Sequence, residues 1–218
     1  MNTLLNPGFA DSALPLGAAH LDAGVDVLAS LMDVLAHGAV VVNQGGHIFH
    51  VNQAARSELN RQRVLCKIKG EIEAVHPAES RTLQTALDKA AKGKRSLINI
   101  KGDGHSLTVA VVPLKREAGA WDSRIALLFA RAEVCESGMV GFFARTHGLT
   151  HTEEQVLIIL CRGLSAPEIA VHMKVAVSTV RSHVRSLCAK TGTSGVRELV
   201  NRVAVLPPVA PLHLVQIH

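Results

Sequence analysis

Between Ala170 and Val196 the chain carries Lys174, Arg181, Arg185 and Lys190 and no Asp or Glu. Interleaved with these cations are Ser178, Thr179, Ser182, His183 and Ser186, side chains that donate or accept single hydrogen bonds. A surface with only positive formal charge attracts a polyanion, and double-stranded DNA is the polyanion that such a mixture suits. Long basic side chains reach phosphates; small hydroxyls and an imidazole can approach base edges. Charge alone also fits an ordinary solvated helix face, so the decision rests on what positions these residues.

The positioning elements are short helices with explicit start and stop signals. Thr150-x-x-Glu153 is a capping box that opens a helix over 152–161, with Val156, Ile159 and Leu160 turned inward and Gly163 ending it. Ser165-x-x-Glu168 is a second box opening a helix over 166–172, where Pro167 is tolerated in the first turn. A turn over Met173 to Ala176 follows, and Ser178 is expected to cap a longer helix that runs to about Lys190 before Gly192 stops it. A fourth helix is expected over 195–205, with Val196, Leu199, Val200 and Val203 inward. A short helix, a tight turn and a second helix of at least three turns make a helix-turn-helix, whose second helix enters the major groove. On that second helix Thr179, Ser182, His183 and Ser186 lie at or near one side. Arg181 and Arg185 form another row, and Val180, Val184, Leu187 and Cys188 supply the buried side.

This segment resembles the DNA-binding domain of the LuxR/GerE-type transcriptional regulators. The likeness is carried by Leu149–Thr150 with Glu153, Gly163 and Ser165, Glu168–Ile169–Ala170, Ser178–Thr179–Val180 with His183, Lys190–Thr191–Gly192, and Arg197 with Leu199. It implies that Thr179, Val180, Arg181, His183 and Lys190 lie on or beside the DNA-reading helix. It also implies that Leu160, Glu168, Ile169, Ala170 and Leu199 maintain a four-helix core, and that the last helix contributes to pairing two subunits. The turn His172–Met173–Lys174–Val175–Ala176 departs from the more common leucine-containing form. The candidate DNA-binding set is therefore Lys174, Ser178, Thr179, Val180, Arg181, Ser182, His183, Arg185, Ser186 and Lys190.

The first two-thirds of the chain follows another pattern. Residues 1–24 contain Pro7, Gly8, Pro15 and Gly17 and read as a loose arm. Val27, Leu28, Leu31, Val34 and Leu35 recur at helical spacing, and Gly38 is expected to close that helix. Strands are expected over 39–42 and 47–51 around the turn Asn43–Gln44–Gly45–Gly46, with Asn52 capping a helix over 53–60. Residues 61–75 give no readable element. A helix over 77–92 precedes three strands at 96–101, 107–114 and 125–130. The fold class is α+β: one five-stranded antiparallel sheet with helices, followed by four helices.

The run Gly38 to Leu59, GAVVVNQGGHIFHVNQAARSEL, resembles the opening of a PAS-type sensor domain, and the likeness covers residues 25–131. It implies a module that senses a small molecule or a protein partner and that pairs with a second copy. PAS domains hold haem, flavin, small metabolites or nothing. No cofactor is predicted here, because the flavin-reactive cysteine pattern is absent around Cys66 and aromatic residues make up only 3% of the chain. His76 and His105 are the better-placed candidates for a haem ligand, and surface or capping roles are commoner for both.

The formal net charge is +5. Cys66, Cys135, Cys161 and Cys188 never come in a close pair, which argues against a zinc knuckle or a CxxC redox site and for buried free thiols in a reduced cytoplasm. No apolar run reaches 18 residues, so no membrane partner is expected. No HExxH, P-loop or GxSxG is present, so no enzymatic activity is predicted. The expected organisation is an arm (1–24), a PAS-like domain (25–131), a connector helix (132–147), a helix-turn-helix domain (148–206) and a tail (207–218). That tail, PPVAPLHLVQIH, can be loose or can pack back on the body. The expected function is that of a cytoplasmic, homodimeric, sequence-specific transcriptional regulator. The competing reading is a protein-binding adaptor whose basic helices read no specific operator.

Overall fold

The computed structural model describes residues 26–114, 124–130 and 139–210. The arm, the loop containing Trp121, the first part of the connector with Cys135, and residues 211–218 lie outside the described residues. Helix α1 covers residues 26–34 and is followed by strands β1 (Ala39–Val42) and β2 (Ile48–Val51) and helix α2 (Gln53–Arg61). Then come the hairpin β3 (Leu65–Ile68) and β4 (Glu71–Ala74), helix α3 (Pro77–Ala91), and strands β5 (Ser96–Gly102), β6 (His105–Pro113) and β7 (Ile125–Phe129).

Five strands form one antiparallel sheet in the order β2-β1-β7-β6-β5. Alternation along each strand places Val40, Val42, Ile100, Val109, Val111, Ile125 and Leu127 on one face, all fully buried. Against them pack Ala55 and Leu59 of α2 and Leu83, Ala86, Leu87 and Ala90 of α3, spaced at helical intervals. This is the expected α+β, PAS-like arrangement.

Asn52 ties three elements together at its edge. Its side-chain oxygen accepts from the backbone N–H of Ala39 (2.8 Å) and of Ala55 (3.0 Å), so it starts β1 and caps α2 at once. Its amide donates to the carbonyls of Met32 (2.8 Å) and His37 (2.9 Å), fixing the end of α1. The residue is wholly buried, and all four of its hydrogen-bonding positions are used. Asp33 reinforces the junction by pairing with both oxygens to Arg56 and accepting from the Gln53 N–H.

Three expectations need correcting. Residues 61–75, unreadable by pattern, contain the β3–β4 hairpin, turned through Lys69 (φ 49°) and Gly70 (φ 91°). Two successive positive φ values are the hairpin geometry that matches strand twist. Gly38 does not close α1, which ends at residue 34; a Cβ there would sit 2.5 Å from the Phe129 ring, so its glycine permits the close approach of β7. Ser178 does not cap its helix, as set out below.

The C-terminal part consists of α4 (Met139–Thr146), α5 (His151–Cys161), α6 (Ala166–Met173), α7 (Val177–Thr191) and α8 (Val196–Ala204). Val156, Leu157, Ile169, Val180, Leu187 and Leu199, all at 0% exposure, converge on one core. Val140 and Phe143 of α4 join this core, whereas Phe142 stays half-exposed, so the connector's apolar stripe divides between core and surface.

After α8 the chain returns to the sheet domain. Ala36 donates to Pro208 (2.7 Å), Ala210 donates to Val34 (2.8 Å), and Leu35 and Val209 form an antiparallel bridge. The tail through residue 210 thus packs back on the body. Among the described residues no helix is long and apolar enough to cross a membrane.

Candidate nucleic-acid interface

Helix α6 ends on Lys174, whose left-handed backbone (φ 55°) turns the chain, while the N–H of Val175 bonds back to Ala170 (3.0 Å). Helix α7 begins at once, with Ala176 in the N-cap position and no side-chain cap. Ser178 therefore lies inside the first turn, where its carbonyl accepts from the Ser182 hydroxyl (3.0 Å). Its hydroxyl is left on the surface rather than tied to a cap.

The inward face of α7 is Val180, Val184, Leu187 and Thr191, of which Val180, Leu187 and Thr191 are buried. Val180 is the correction within the candidate set. At 0% exposure it anchors the helix in the core, and its side chain has no surface to offer a ligand. The outward arc contains Ser178, Thr179, Arg181, Ser182 and Arg185, all exposed, with His183 and Ser186 at its half-buried margin. Arg185 lies back along the helix, its Nε 3.4 Å from the Arg181 carbonyl and its Nη2 3.4 Å from the Ser182 hydroxyl. Among the described residues no carboxylate pairs with Lys174, Arg181 or Arg185.

Ser186 and Lys190 behave differently, because both turn toward Glu153 on α5. The Ser186 hydroxyl donates to Glu153 Oε1 (2.6 Å), and Lys190 Nζ donates to Oε2 (2.7 Å) and to the Gly148 carbonyl (3.1 Å). Thr150 completes the set through its N–H (2.7 Å) and its hydroxyl (3.0 Å). Glu153 is only 4% exposed. Burial pushes its carboxyl up, but the hydrogen bonds from Lys190, Ser186 and Thr150 outweigh burial and hold it down at about 2. A charged carboxylate thus clamps α7 to α5. Capping spacing reveals Glu153 only as part of a local box; its bonds to residues 33 and 37 positions later leave no local signal.

Two other carboxylates sit at helix starts. Glu168 accepts from the N–H (2.7 Å) and hydroxyl (2.6 Å) of Ser165, and Glu198 accepts from the N–H (2.8 Å) and hydroxyl (2.6 Å) of Ser194. The serine hydroxyls and N–H groups hold both carboxyls below the usual range. The Ser194–Glu198 pair has four-residue spacing and escapes the three-residue box pattern. Arg202 of α8 then reaches the Thr191 carbonyl (2.6 Å) and closes the C-terminal end of α7.

Helices α6 and α7 with the turn at Lys174 form a helix-turn-helix with an outward cation row. Residues 147–203 match the family of bacterial regulatory proteins described as luxR, or GerE. The match covers the helix-turn-helix and leaves the sheet domain outside it. Among curated protein sequences there is no match. Similar solved structures include the phage VqmA–DPO complex, with 17% identity over 86% of this chain and 93% of that one, TM-score 0.38. The VqmA–ligand–DNA complex of Vibrio cholera has 18% identity over 88% of this chain and 93% of that one, TM-score 0.36. A PAS domain of an HTR-like protein from Haloarcula marismortui has 19% identity over 51% of this chain and 94% of that one, TM-score 0.35. Likenesses of this order do not extend to function.

In the PAS-like domain, the inner face of the sheet meets apolar side chains from α2, α3 and the β3–β4 hairpin. The histidines considered as haem ligands are both outside it. His76 Nε2 lies 2.9 Å from Asp103 Oδ1, and His105 Nδ1 lies 2.7 Å from the Asp103 carbonyl, at the exposed β5–β6 turn. Cys66 is buried, and burial followed by the nearby Glu73 pushes its thiol up. Cys161 and Cys188 are half-buried.

Proposed function

We propose that this protein is a homodimeric, sequence-specific DNA-binding transcriptional regulator whose PAS-like domain takes a small molecule or a protein partner as its input. The observation that carries this reading is the outward arc of α7. Arg181 and Arg185, joined by Lys174 from the preceding turn, have no carboxylate partner among the described residues, and they flank Ser178, Thr179 and Ser182 within a luxR-family domain.

In this reading Lys174, Arg181 and Arg185 engage phosphates or guanine edges. Ser178, Thr179, Ser182 and His183 approach the bases. Ser186 and Lys190 present the helix from their Glu153 bonds, and Val180 sets its depth. A dimer is supported by α1, where Val27, Leu28, Leu31 and Val34 are between 43% and 68% exposed along one stripe. Two copies of α7 would then read two half-sites about one helical turn apart. An input that changes how the domains pack alters the spacing or exposure of the two reading helices. The expected compartment is the bacterial cytoplasm.

The test is a genome-wide footprint of the full-length protein at physiological salt beside an Arg181→Ala, Arg185→Ala variant. A compact palindromic motif recovered only by the parent is expected. Diffuse, salt-sensitive binding shared by both proteins would replace this reading with that of an adaptor.

A further inference from the structure

A second concentration of positive charge lies in the PAS-like domain, at the sheet edge where α3 meets β5 beside Ala86 and Ile98. Arg81, Thr82, Thr85 and Lys89 occupy positions i, i+1, i+4 and i+8 of α3, which places them on one helix face. That face borders β5, an edge strand of the sheet, and the crevice between them encloses 360 Å³. Ser96 and Leu97 of β5 form the opposite wall. No carboxylate lines it, and among the described residues neither Arg81 nor Lys89 has an ion-pair partner.

Ser96 makes the crevice more than a patch of surface charge. Its hydroxyl oxygen is buried and has no hydrogen-bond partner among the described residues. A buried hydroxyl without a partner is unfavourable, and such groups are rare enough to call for an explanation. Here it borders a crevice that also offers two threonine hydroxyls, a guanidinium fork and an ammonium. The turn from α3 into β5 adds Lys92, Lys94 and Arg95 nearby in sequence. The acid within this run, Asp88, is taken up by amide hydrogen bonds from Gln44 (2.9 Å) and Gln84 (3.2 Å). The volume falls in the range of small-molecule sites, roughly 300–1,000 Å³.

We propose that the α3–β5 crevice binds a small anion bearing a phosphate or carboxylate group, gripped by Arg81, Lys89 and the hydroxyls of Thr82, Thr85 and Ser96. Arg81 supplies the bidentate donor pair suited to an oxyanion, and Lys89 a second charge. Leu97, at 73% exposure, provides the apolar ledge for the remainder of the ligand. The site lies at the sheet edge, against the margin of the apolar interior, and is independent of whether α7 reads DNA. Lysines at a sheet edge also deter strand pairing. That role leaves the buried Ser96 hydroxyl and Arg81 without a purpose.

The test is an amide-resolved NMR titration of the full-length protein with inorganic phosphate, balanced against chloride at constant ionic strength. Saturating shifts confined to residues 81–89 and 96–98 are expected, with affinity weakened at least tenfold in Arg81→Gln. Ser96→Ala, which keeps both charges, is expected to weaken it by roughly threefold, the loss of one hydrogen bond to a charged group partly replaced by water. Phosphate shifts that match those from chloride, or that survive both substitutions, would overturn the site. So would shifts at these amides produced by duplex DNA and not by phosphate, because a polyanion surface needs no buried hydroxyl.

Discussion

The two domains place their acids differently. In the PAS-like domain, arginines next to acids pair with them: Arg56 with Asp33, and Arg61 and Arg63 with Glu58. In the helix-turn-helix domain the carboxylates of Glu153, Glu168 and Glu198 are committed at helix starts, where they bind N–H and hydroxyl donors, and Glu153 and Glu198 pair in addition with Lys190 and Arg202. They lie where the positive end of a helix favours them, and Arg181 and Arg185 have no counter-charge among the described residues. A basic surface here is therefore made as much by where the acids go as by where the arginines lie.

The largest test of this contrast falls on the polar centre of the PAS-like domain. Asn52→Ala strips four hydrogen bonds from buried backbone groups and is expected to cost ~3 kcal/mol in chemical denaturation of the full-length protein. A cost under ~1 kcal/mol would show that the α1–β1–α2 junction does not depend on it.

Next comes the cation row. Removing Arg181 and Arg185 together is expected to weaken operator binding by about a hundredfold and to lower the salt-dependence slope by about two. An unchanged slope, measured by fluorescence anisotropy over a salt series, would place these arginines away from phosphates.

Lys190→Met leaves Glu153 buried with a smaller set of donors, and a loss of ~2 kcal/mol is expected for a hydrogen bond between charged groups. The same carboxylate sets a pH dependence. Its folded-state value near 2 lies below the ordinary 4.5, so its contribution is fully present above pH 4.5 and fades as pH falls toward 2. Thermal melts across that window should show a shallower decline in Glu153→Gln than in the parent. The smallest effect is expected from Thr150→Ala, ~1 kcal/mol for one lost cap.

What could be read from the sequence follows from how far apart the interacting residues lie. Thr150–Glu153 and Ser165–Glu168 sit three apart and announce their helices, and the α7 cations cluster within one helix. The β3–β4 hairpin went unread although Glu71-Ile72-Glu73-Ala74 alternates and Lys69–Gly70 is a workable turn. Its strands are four residues each, too short for periodicity to stand out among charges. Helical spacing already turns Val180 inward, in conflict with the contact role that the family resemblance implies for it, and the packing of α7 on α5 and α6 follows the spacing. The Glu153–Lys190 pair and the α3–β5 crevice depend on tertiary placement and have no local signature.

The return of residues 208–210 to the end of α1 changes the mechanics of the molecule. Two bodies joined by one covalent tether can rotate about three axes. Here the chain runs from β7 to α4 and, after α8, comes back to the end of α1, so the helix-turn-helix domain is joined to the sheet domain twice. Two attachments leave one easy axis, the line between them, and convert a swivel into a hinge. Whatever loosens the bridge between Leu35 and Val209 would restore the other two rotations, and α7 would gain orientations without any change in its own fold.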